Sequence, residues 1–231
     1  MYKDITFTNI LGTEGHNLFP PKPAREQVPD WYKNTTGYIN NEKNIIDGSV
    51  KSTIKKCIPV FDALTTGYII FTQVDISVSI QDGSSYFQWP TTNAIEFHSY
   101  EQAELHPFYN GMPYPKLINP WTIKTPLGYS SLFIPPMHNS NKIFTAFPGI
   151  VDTDSFHGNV NFPFILDDPK WEGIIPAGTP IVQVIPFKRD LFKMKIGNEK
   201  NINQANSDIL SLRALWKNRY KTLFWKRKEY K

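Results

Sequence analysis

The sequence is short of the features on which secreted and membrane proteins depend. Cys57 is its only cysteine, so no disulfide can form within the chain. No apolar run approaches the roughly 18 residues that a membrane-spanning helix needs, and the polar first four residues lack the basic and apolar pattern of a secretion signal. We therefore expect a soluble protein, without a membrane span or signal peptide, that is kept in a reducing compartment.

Motifs that mark several enzyme classes are absent as well. The chain has neither a Gly-x-Ser-x-Gly nucleophile elbow nor a Walker-type phosphate loop. Cys57 heads the apolar residues 57–61, which we interpret as a strand, where a buried and unreactive thiol is the default. Nucleophilic catalysis of these kinds is therefore not expected.

Histidine and carboxylate residues occur in two groups that could be considered for a metal. One group holds Asp152, Asp154 and His157, and the other extends from His98 to His106. The His-x-Asp pair with which two-His-one-carboxylate iron sites usually begin does not occur. The spacing from His98 to His106 suits neither one helix face nor a hairpin. Surface histidines are the better interpretation, so we expect no metal and no cofactor, with Mg²⁺ needed only if the protein is an enzyme.

Proline and aromatic residues, by contrast, are abundant, at 19 prolines and 14% aromatic residues. Prolines scattered through a chain oppose long helices, so we expect a mainly β fold with many turns. Residues 65–71 are expected to form a buried run that is entered through a glycine turn, residues 74–80 alternate as in a half-buried strand, and Asp82-Gly83 marks a hairpin turn. We interpret residues 95–121 as a long surface excursion with at most one short helical turn.

Composition divides the chain into four parts. Residues 1–50 are an extended, proline-rich N-terminal arm, residues 51–192 a β-barrel domain, residues 193–206 a polar linker, and residues 207–231 a basic and aromatic C-terminal helix and tail. Ser207 is the expected N-cap of an amphipathic helix of roughly four turns. The arm packs either on its own domain, which is the simpler interpretation, or on a neighbouring molecule.

Positive charge is concentrated at the C-terminus. The net charge is +4, yet residues 217–231 alone carry +6, so the rest of the chain is not a general nucleic-acid-binding surface. Aromatic residues interleave with the basic ones, which is typical of a docking segment, although a solvated helix end is the alternative. The expected partner-binding residues are Trp216, Tyr220, Phe224, Trp225, Lys226 and Arg227. A membrane surface, an acidic partner or nucleic acid could meet this tail, and nucleic acid is expected through the tail only.

Three glycine-led segments, at residues 126–132, 148–160 and 174–187, follow one another along the chain. The second reads PGIVDTDSFHGNV, and the third reads IIPAGTPIVQVIPF. Together they resemble the β-rich core shared by dUTP pyrophosphatases and dCTP deaminases, over residues 123–187. The resemblance implies a mainly β fold with a distorted, jelly-roll-like β-barrel, and a homotrimer whose active sites lie between subunits.

This resemblance implies roles for a few residues. Asp152 holds the place of the aspartate that acts on the attacking water in the pyrophosphatases, and is the catalytic residue if the chain is an enzyme. Ser130 and Ser131 match the serines of the phosphate loop. Asp154 and Phe156 complete the expected ligand-binding set.

Other positions of the family pattern are replaced. Tyr129 stands where the phosphate-binding arginine is expected, which removes a bidentate and permanently charged ligand. Ser155 is inserted, and Phe156 follows where the tyrosine that discriminates deoxyribose would stand. Residues 161–163 hold no acid where the deaminases have their general base, and the glycine-rich C-terminal arm is missing. The glycines and aspartates that remain would also serve a structural turn.

The whole chain also resembles a family of proteins from tailed bacteriophages and other aquatic viruses, through residues 23–33, 65–70 and 178–189. That resemblance implies a viral origin and no activity. We therefore predict a non-catalytic β-barrel module for assembly or binding, located in the host cytoplasm or the virion. Its expected partners are copies of itself, with a trimer favoured, and other viral proteins bound through the arm and the C-terminal helix. The alternative is a divergent nucleotide hydrolase in which Asp152 activates water.

Overall fold

The computed structural model describes residues 3–11, 19–43, 50–90, 93–107, 113–213 and 219–231. The protein is mainly β, as predicted, with two helices near its C-terminus. Its strands are β1 (Thr6–Asn9), β2 (Lys22–Pro23), β3 (Tyr38–Lys43), β4 (Val50–Ser52), β5 (Tyr68–Phe71), β6 (Ile76–Gln81), β7 (Ser84–Gln88), β8 (Ile95–Phe97), β9 (Pro115–Leu117), β10 (Trp121–Lys124), β11 (Tyr129–Ile134), β12 (Phe144–Ala146), β13 (Gly149–Val151), β14 (Phe162–Leu166), β15 (Gly173–Ile175) and β16 (Pro180–Lys188). Its α-helices are α1 (Asp30–Asn34), α2 (Ile58–Thr65), α3 (Tyr100–Ala103), α4 (Glu199–Arg213) and α5 (Arg219–Leu223), and 3-10 turns span Ala24–Gln27 and Ile54–Lys56.

The strands of the described residues pair antiparallel in five sheets. The largest sheet has the order β13-β11-β16-β5-β2, a second has β12-β14-β9-β8, and a third has β15-β6-β7. Two further pairs join β1 to β10 and β3 to β4. No closed barrel is found among these strands, in contrast to the barrel that we expected. Most strands are short and interrupted by turns, so the chain passes from one sheet to another before a single sheet can close.

One hydrophobic core joins the three larger sheets. Val182 of β16, Val78 of β6 and Phe164 of β14 belong to the same buried cluster. Strand β5 is buried along its whole length, as the apolar run predicted. The predicted hairpin is also confirmed, since Asp82 and Gly83 join β6 to β7 with φ angles of 51° and 79°, the positive values that a tight hairpin turn requires.

Residues 57–61, which we predicted as a strand, are instead the start of a helix. Helix α2 begins at Ile58 and carries Pro59 in its first turn, where the missing N–H has no helical partner to lose. Cys57 directly precedes the helix and is exposed. The expectation of a buried thiol in a strand was therefore wrong.

The expected surface excursion over residues 95–121 is only partly right. Its short helical turn is α3, which Ser99 and Gln102 cap. Strand β8, however, pairs with β9, and β9 pairs in turn with β14, while both Ile95 and Leu117 are buried. Strands of three residues are too short for apolar alternation to reveal them.

The C-terminal helix begins at Glu199 rather than at Ser207, so Ser207 lies inside α4 and the predicted linker is helical from residue 199 onward. Asn198 precedes the helix, and its backbone N–H donates to Oδ1 of Asn201 at 2.9 Å, which is half of a capping box. Because the first turns of α4 carry few apolar residues, the sequence shows no helical periodicity there. None of the described helices is long and apolar enough to cross a membrane.

The described part of the N-terminal arm packs on its own chain. Strand β1 pairs with β10 over four residues, and β2 extends the largest sheet beside β5. The indole N–H of Trp31, in α1, donates to the carbonyl of His138 at 2.9 Å. The described part of the arm therefore adds one strand to the largest sheet and pairs a second strand with β10 of its own chain.

Candidate functional site

Three of the candidate residues, Ser130, Asp152 and Asp154, lie together at one end of the five-stranded sheet, where β11 begins and β13 and β16 end. The antiparallel register places Ser131 of β11 opposite Val151 of β13, and Tyr129 of β11 opposite Lys188 of β16. The turn after β13, the start of β11 and the residue after β16 therefore lie side by side. The polar side chains of Ser130, Asp152, Asp154 and Arg189 lie together there.

Asp154 and Arg189 form a two-pronged ion pair. Nη1 of Arg189 donates to Oδ1 of Asp154 at 2.9 Å, and Nη2 donates to Oδ2. The backbone N–H of Gly128 also donates to Oδ2, at 2.8 Å, from a φ of 83° that favours glycine. The Asp154 side chain is only 1% exposed. The hydrogen bonds from Arg189, followed by that from Gly128, hold the pKa of the Asp154 carboxyl well below its usual range, and Asp154 in turn raises the pKa of Arg189.

Asp152 is held at the surface beside this ion pair. Its Oδ1 accepts a hydrogen bond from Oγ of Ser130 at 2.6 Å and lies 3.2 Å from Nη1 of Arg189. The Asp152 side chain is 61% exposed, whereas Ser130 is buried. A carboxylate in this setting can accept a hydrogen bond from water or from a ligand on its solvent side.

Ser131 belongs to a different, buried network of hydroxyl groups. Its Oγ lies 2.9 Å from Oγ1 of Thr153, which lies 2.8 Å from Oγ1 of Thr125. Ser131 and Thr153 are fully buried. Successive residues of a strand point to opposite faces, so Ser130 reaches Asp152 while its neighbour Ser131 turns into the protein. Of the two serines, the structure brings only Ser130 to the exposed carboxylate.

Phe156 and the histidines lie apart from this cluster. Phe156 is 45% exposed, and its ring covers Gly158, where an added Cβ would lie 2.7 Å from the ring. His157 is exposed, and His106 stacks on Phe147 with ring centroids 4.7 Å apart. Across the described ranges, no three His, Cys, Asp or Glu side chains gather into a group that could hold a metal ion.

A cleft of 590 Å³ opens beside Tyr129, between the N-terminal arm and the C-terminal tail. Nζ of Lys3 donates to the Tyr129 hydroxyl at 2.8 Å and lies 4.4 Å from the centroid of its ring. In the same cleft the rings of Tyr68 and Tyr230 meet edge-on, with centroids 5.9 Å apart, and burial raises the pKa of both phenols. Tyr129 stands where we expected a phosphate-binding arginine, and its hydroxyl is hydrogen-bonded to Lys3 of the N-terminal arm.

The C-terminal tail folds back on its own domain. The indole N–H of Trp225 donates to both carboxylate oxygens of Asp62, in α2, at 2.9 and 3.0 Å. Lys228 forms an ion pair with the same carboxylate at 2.5 Å. The Asp62 side chain is 17% exposed. Sequence reasoning missed this contact because the two partners lie 163 residues apart.

The other expected partner-binding residues have varied settings. Tyr220 and Phe224 are 43% and 38% exposed, with ring centroids 6.3 Å apart. Lys226 is exposed, and Arg227 pairs with Glu229 at 2.6 Å. Trp216 lies outside the described residues. Within the tail, the indole N–H of Trp225 is thus bound by its own chain, while Tyr220, Phe224 and Lys226 face solvent.

Arg189 is the site residue that sequence reasoning missed. It lies 60 residues after Tyr129, to whose carbonyl its Nη1 donates at 3.1 Å. The only signal in the sequence is an arginine that directly follows a long apolar strand. Its position beside Asp154 depends on the pairing of β16 with β11, and strand pairing cannot be read from one sequence.

No protein-family model and no curated protein matches the chain. It is similar to solved structures of phage dUTPases. A dUTPase variant of Staphylococcus bacteriophage 80alpha with dUpNHpp is 12% identical, at a TM-score of 0.39 over 85% of this chain and 89% of that one. A dUTPase variant from phage phi11 of S. aureus is 13% identical, at a TM-score of 0.38 over 85% of this chain and 97% of that one. These values are too low to assign an activity.

Proposed function

We propose that the chain is a non-catalytic β module that assembles with copies of itself, in the host cytoplasm or in a virion. The observation that carries the proposal is the segment that follows β16. Residues 189–198 form neither helix nor strand. Within this segment Leu191, Phe192, Met194 and Ile196 are 104%, 91%, 89% and 93% exposed. Large apolar side chains clustered in this way mark an interaction surface on a soluble protein.

The pattern of the segment points to strand addition. Phe192, Met194 and Ile196 recur at every second residue, with lysines between them, so an extended backbone would present one apolar face and one basic face. A segment of this kind binds by adding a strand to an exposed sheet edge. Edge strands β13 and β15 carry Ile150 and Ile174, which are 64% and 60% exposed. A second copy of the chain therefore offers suitable edges.

Such a contact joins two different surfaces of identical chains. Contacts of this heterologous type form a ring when the rotation between subunits closes and an open filament when it does not, and a trimer is the smallest ring that has no two-fold axis. We therefore propose a homotrimer. We propose that other viral proteins bind through the exposed surface of the tail, which includes Tyr220 and Phe224.

The carboxylate cluster supports a non-catalytic role. Catalysis on a nucleoside triphosphate needs a carboxylate that is free to activate water and a cation that is free to bind phosphate. Here Oδ1 of Asp152 is engaged by Ser130 and Arg189, and both terminal nitrogens of Arg189 are engaged by Asp154. The guanidinium in this cluster is therefore neutralised by carboxylates of its own chain.

We expect the double variant Phe192→Ser, Ile196→Ser to dissociate the trimer into monomers, because it removes the apolar face of the segment. Size-exclusion chromatography with multi-angle light scattering measures the mass directly. The matched control is Leu105→Ser, which also removes an apolar side chain that is 96% exposed but lies outside the segment. A wild-type monomer, or a double variant that keeps the wild-type mass, would contradict the proposal.

The second candidate function is a divergent nucleotide hydrolase, which the exposure of Asp152 favours. Under the proposal above, incubation with each of the four common dNTPs and with dUTP, in the presence of Mg²⁺, should yield no nucleoside mono- or diphosphate and no deaminated nucleotide beyond the level seen with Asp152→Asn. Chromatography of the nucleotides detects all of these products. Turnover by the wild type that Asp152→Asn abolishes would establish the hydrolase and end the non-catalytic proposal.

A further inference from the structure

A second cleft lies between the body of the protein and the C-terminal tail. It has a volume of 320 Å³, at the lower end of the roughly 300–1,000 Å³ that small-molecule sites occupy. Its walls come from α1, from the segment that leads into α2, from α2 itself, and from the tail. The lining residues are Tyr32, Lys55, Lys56, Ile58, Phe61, Lys221 and Trp225.

The charge of this cleft has one sign. Among the residues that the structure describes, the cleft is lined by three lysines, Lys55, Lys56 and Lys221, and by no carboxylate. Asp62 follows Phe61 in α2, but its carboxylate is already bound by Lys228 and by the indole of Trp225. The cleft therefore attracts an anion.

The three ammonium groups are held by neutral partners. Nζ of Lys55 donates to the carbonyls of Tyr32 and Lys33, at 2.5 and 3.3 Å, and lies 4.2 Å from the centroid of the Tyr32 ring. Nζ of Lys56 lies 4.8 Å from the centroid of the Tyr38 ring. Nζ of Lys221 lies 5.9 Å from the centroid of the Trp225 ring. Carbonyl oxygens and ring faces orient a cation without neutralising its charge, so these lysines still need counterions.

The aromatic side chains that line the cleft indicate which class of anion it would bind. Phe61 is 37% exposed, and Trp225 is partly exposed where it lines the same cleft as the lysines. Ring faces beside ammonium groups are the arrangement by which proteins bind single-stranded nucleic acid, since bases stack on the rings while phosphates meet the cations. An acidic peptide would use the lysines but has no need of the rings. The small volume admits one base rather than a duplex.

We propose that this cleft binds single-stranded nucleic acid, with a base against Phe61 and Trp225 and phosphates on Lys55, Lys56 and Lys221. The sequence pointed to the basic tail as the only place for such a ligand. The structure adds two lysines and an aromatic ring from the body, which the docked tail completes. The proposal depends neither on the proposed homotrimer nor on the cluster of Ser130, Asp152, Asp154 and Arg189.

The test is the fluorescence anisotropy of a labelled oligothymidine of roughly 20 nucleotides, titrated with the full chain at low salt. The double variant Lys56→Glu, Lys221→Glu should weaken binding by about tenfold or more, because it replaces two phosphate contacts by repulsion. The matched control is Lys142→Glu, Lys170→Glu, which makes the same change of charge at lysines that do not line the cleft. We expect at most about a twofold effect from it. Equal losses in the two double variants would overturn the proposal.

A second variant separates nucleic acid from other polyanions. Phe61→Ala should weaken oligothymidine binding severalfold, because it removes a stacking surface, while binding of a labelled poly-glutamate peptide or of inorganic polyphosphate stays unchanged. Circular dichroism shows whether each variant keeps the wild-type fold. If poly-glutamate or polyphosphate displaces oligothymidine at equal charge concentration and Phe61→Ala changes nothing, the cleft is a general anion site and the proposal is wrong.

Discussion

Replacing Arg189 with methionine is expected to lower the melting temperature by several degrees Celsius at neutral pH. The change removes the guanidinium from a carboxylate whose side chain is only 1% exposed, and it leaves Asp154 with the Gly128 amide as its nearest donor. Removing the charged partner of a carboxylate that is itself shielded from water is destabilising, and the partial exposure of Arg189, at 37%, keeps the expected loss below that of a fully buried pair. Thermal unfolding followed by circular dichroism measures the loss.

The neighbouring residue offers a matched control for Arg189→Met. Lys188 also carries a cation at the end of β16 and pairs with Asp190 at 2.6 Å, but its side chain is 61% exposed. Exposed pairs of this kind contribute little, so Lys188→Met should leave the melting temperature almost unchanged. Equal effects of the two substitutions would show that the Asp154 pair does not stabilise the fold.

The effect of Arg189→Met should also depend on pH, in a direction that follows from the pKa of Asp154. That pKa is lower in the folded protein than in the unfolded chain, because of the hydrogen bonds from Arg189 and Gly128. The contribution to stability is therefore fully present above the unfolded pKa of about 4, and it is lost as the pH falls below that value. The difference between wild type and Arg189→Met should be large at neutral pH and should shrink in acid.

The sequence predicted the parts of this site that lie close together in the chain. The glycine-led segment placed Asp152 and Asp154 in one turn, and Ser130 of the first segment does bond to Asp152. Strand alternation would also have shown that Ser130 and Ser131 cannot face the same way. Arg189 could not be predicted, because it reaches Asp154 only through the pairing of β16 with β11.

The fold likewise has parts that nearby residues specify, which the sequence predicted, and parts that depend on distant residues, which it did not. Strand β5 and the hairpin at Asp82-Gly83 were predicted, because each is specified by adjacent residues. Residues 57–61 were interpreted as a strand, although Pro59 is equally suited to the first turn of a helix, which is the structure that forms. The contact of Trp225 with Asp62 joins parts of the chain that no local pattern connects. Patterns of adjacent residues thus predict individual strands and turns. The site, in contrast, forms through contacts between residues that are distant in the sequence.

Gln183 gives the second large expected effect, since Gln183→Met should lower the free energy of unfolding by about 2–4 kcal/mol. Gln183 is 1% exposed in β16, and its Nε2 donates to the carbonyls of Ala63 and Thr66 at the end of α2. Its Oε1 accepts the backbone N–H of Met137 at 2.9 Å. Methionine keeps the length of the side chain but leaves these three backbone groups without their partner. Urea unfolding measures the change.

Gln73 provides the matched control, because it makes the same kind of contacts in a more exposed place. Its side chain bonds to the backbone N–H and carbonyl of Phe19, at 2.9 and 3.2 Å, and to the carbonyl of Phe71 at 2.6 Å. Water can replace a lost partner there, so Gln73→Met should cost less than about 1 kcal/mol. A cost for Gln183→Met no larger than that for Gln73→Met would mean that packing, and not hydrogen bonding, determines the residue at position 183. If Gln183→Met is the costlier change, the hydrogen bonds of Gln183 hold α2, on which the tail docks, against β16, which leads into the exposed segment of residues 189–198.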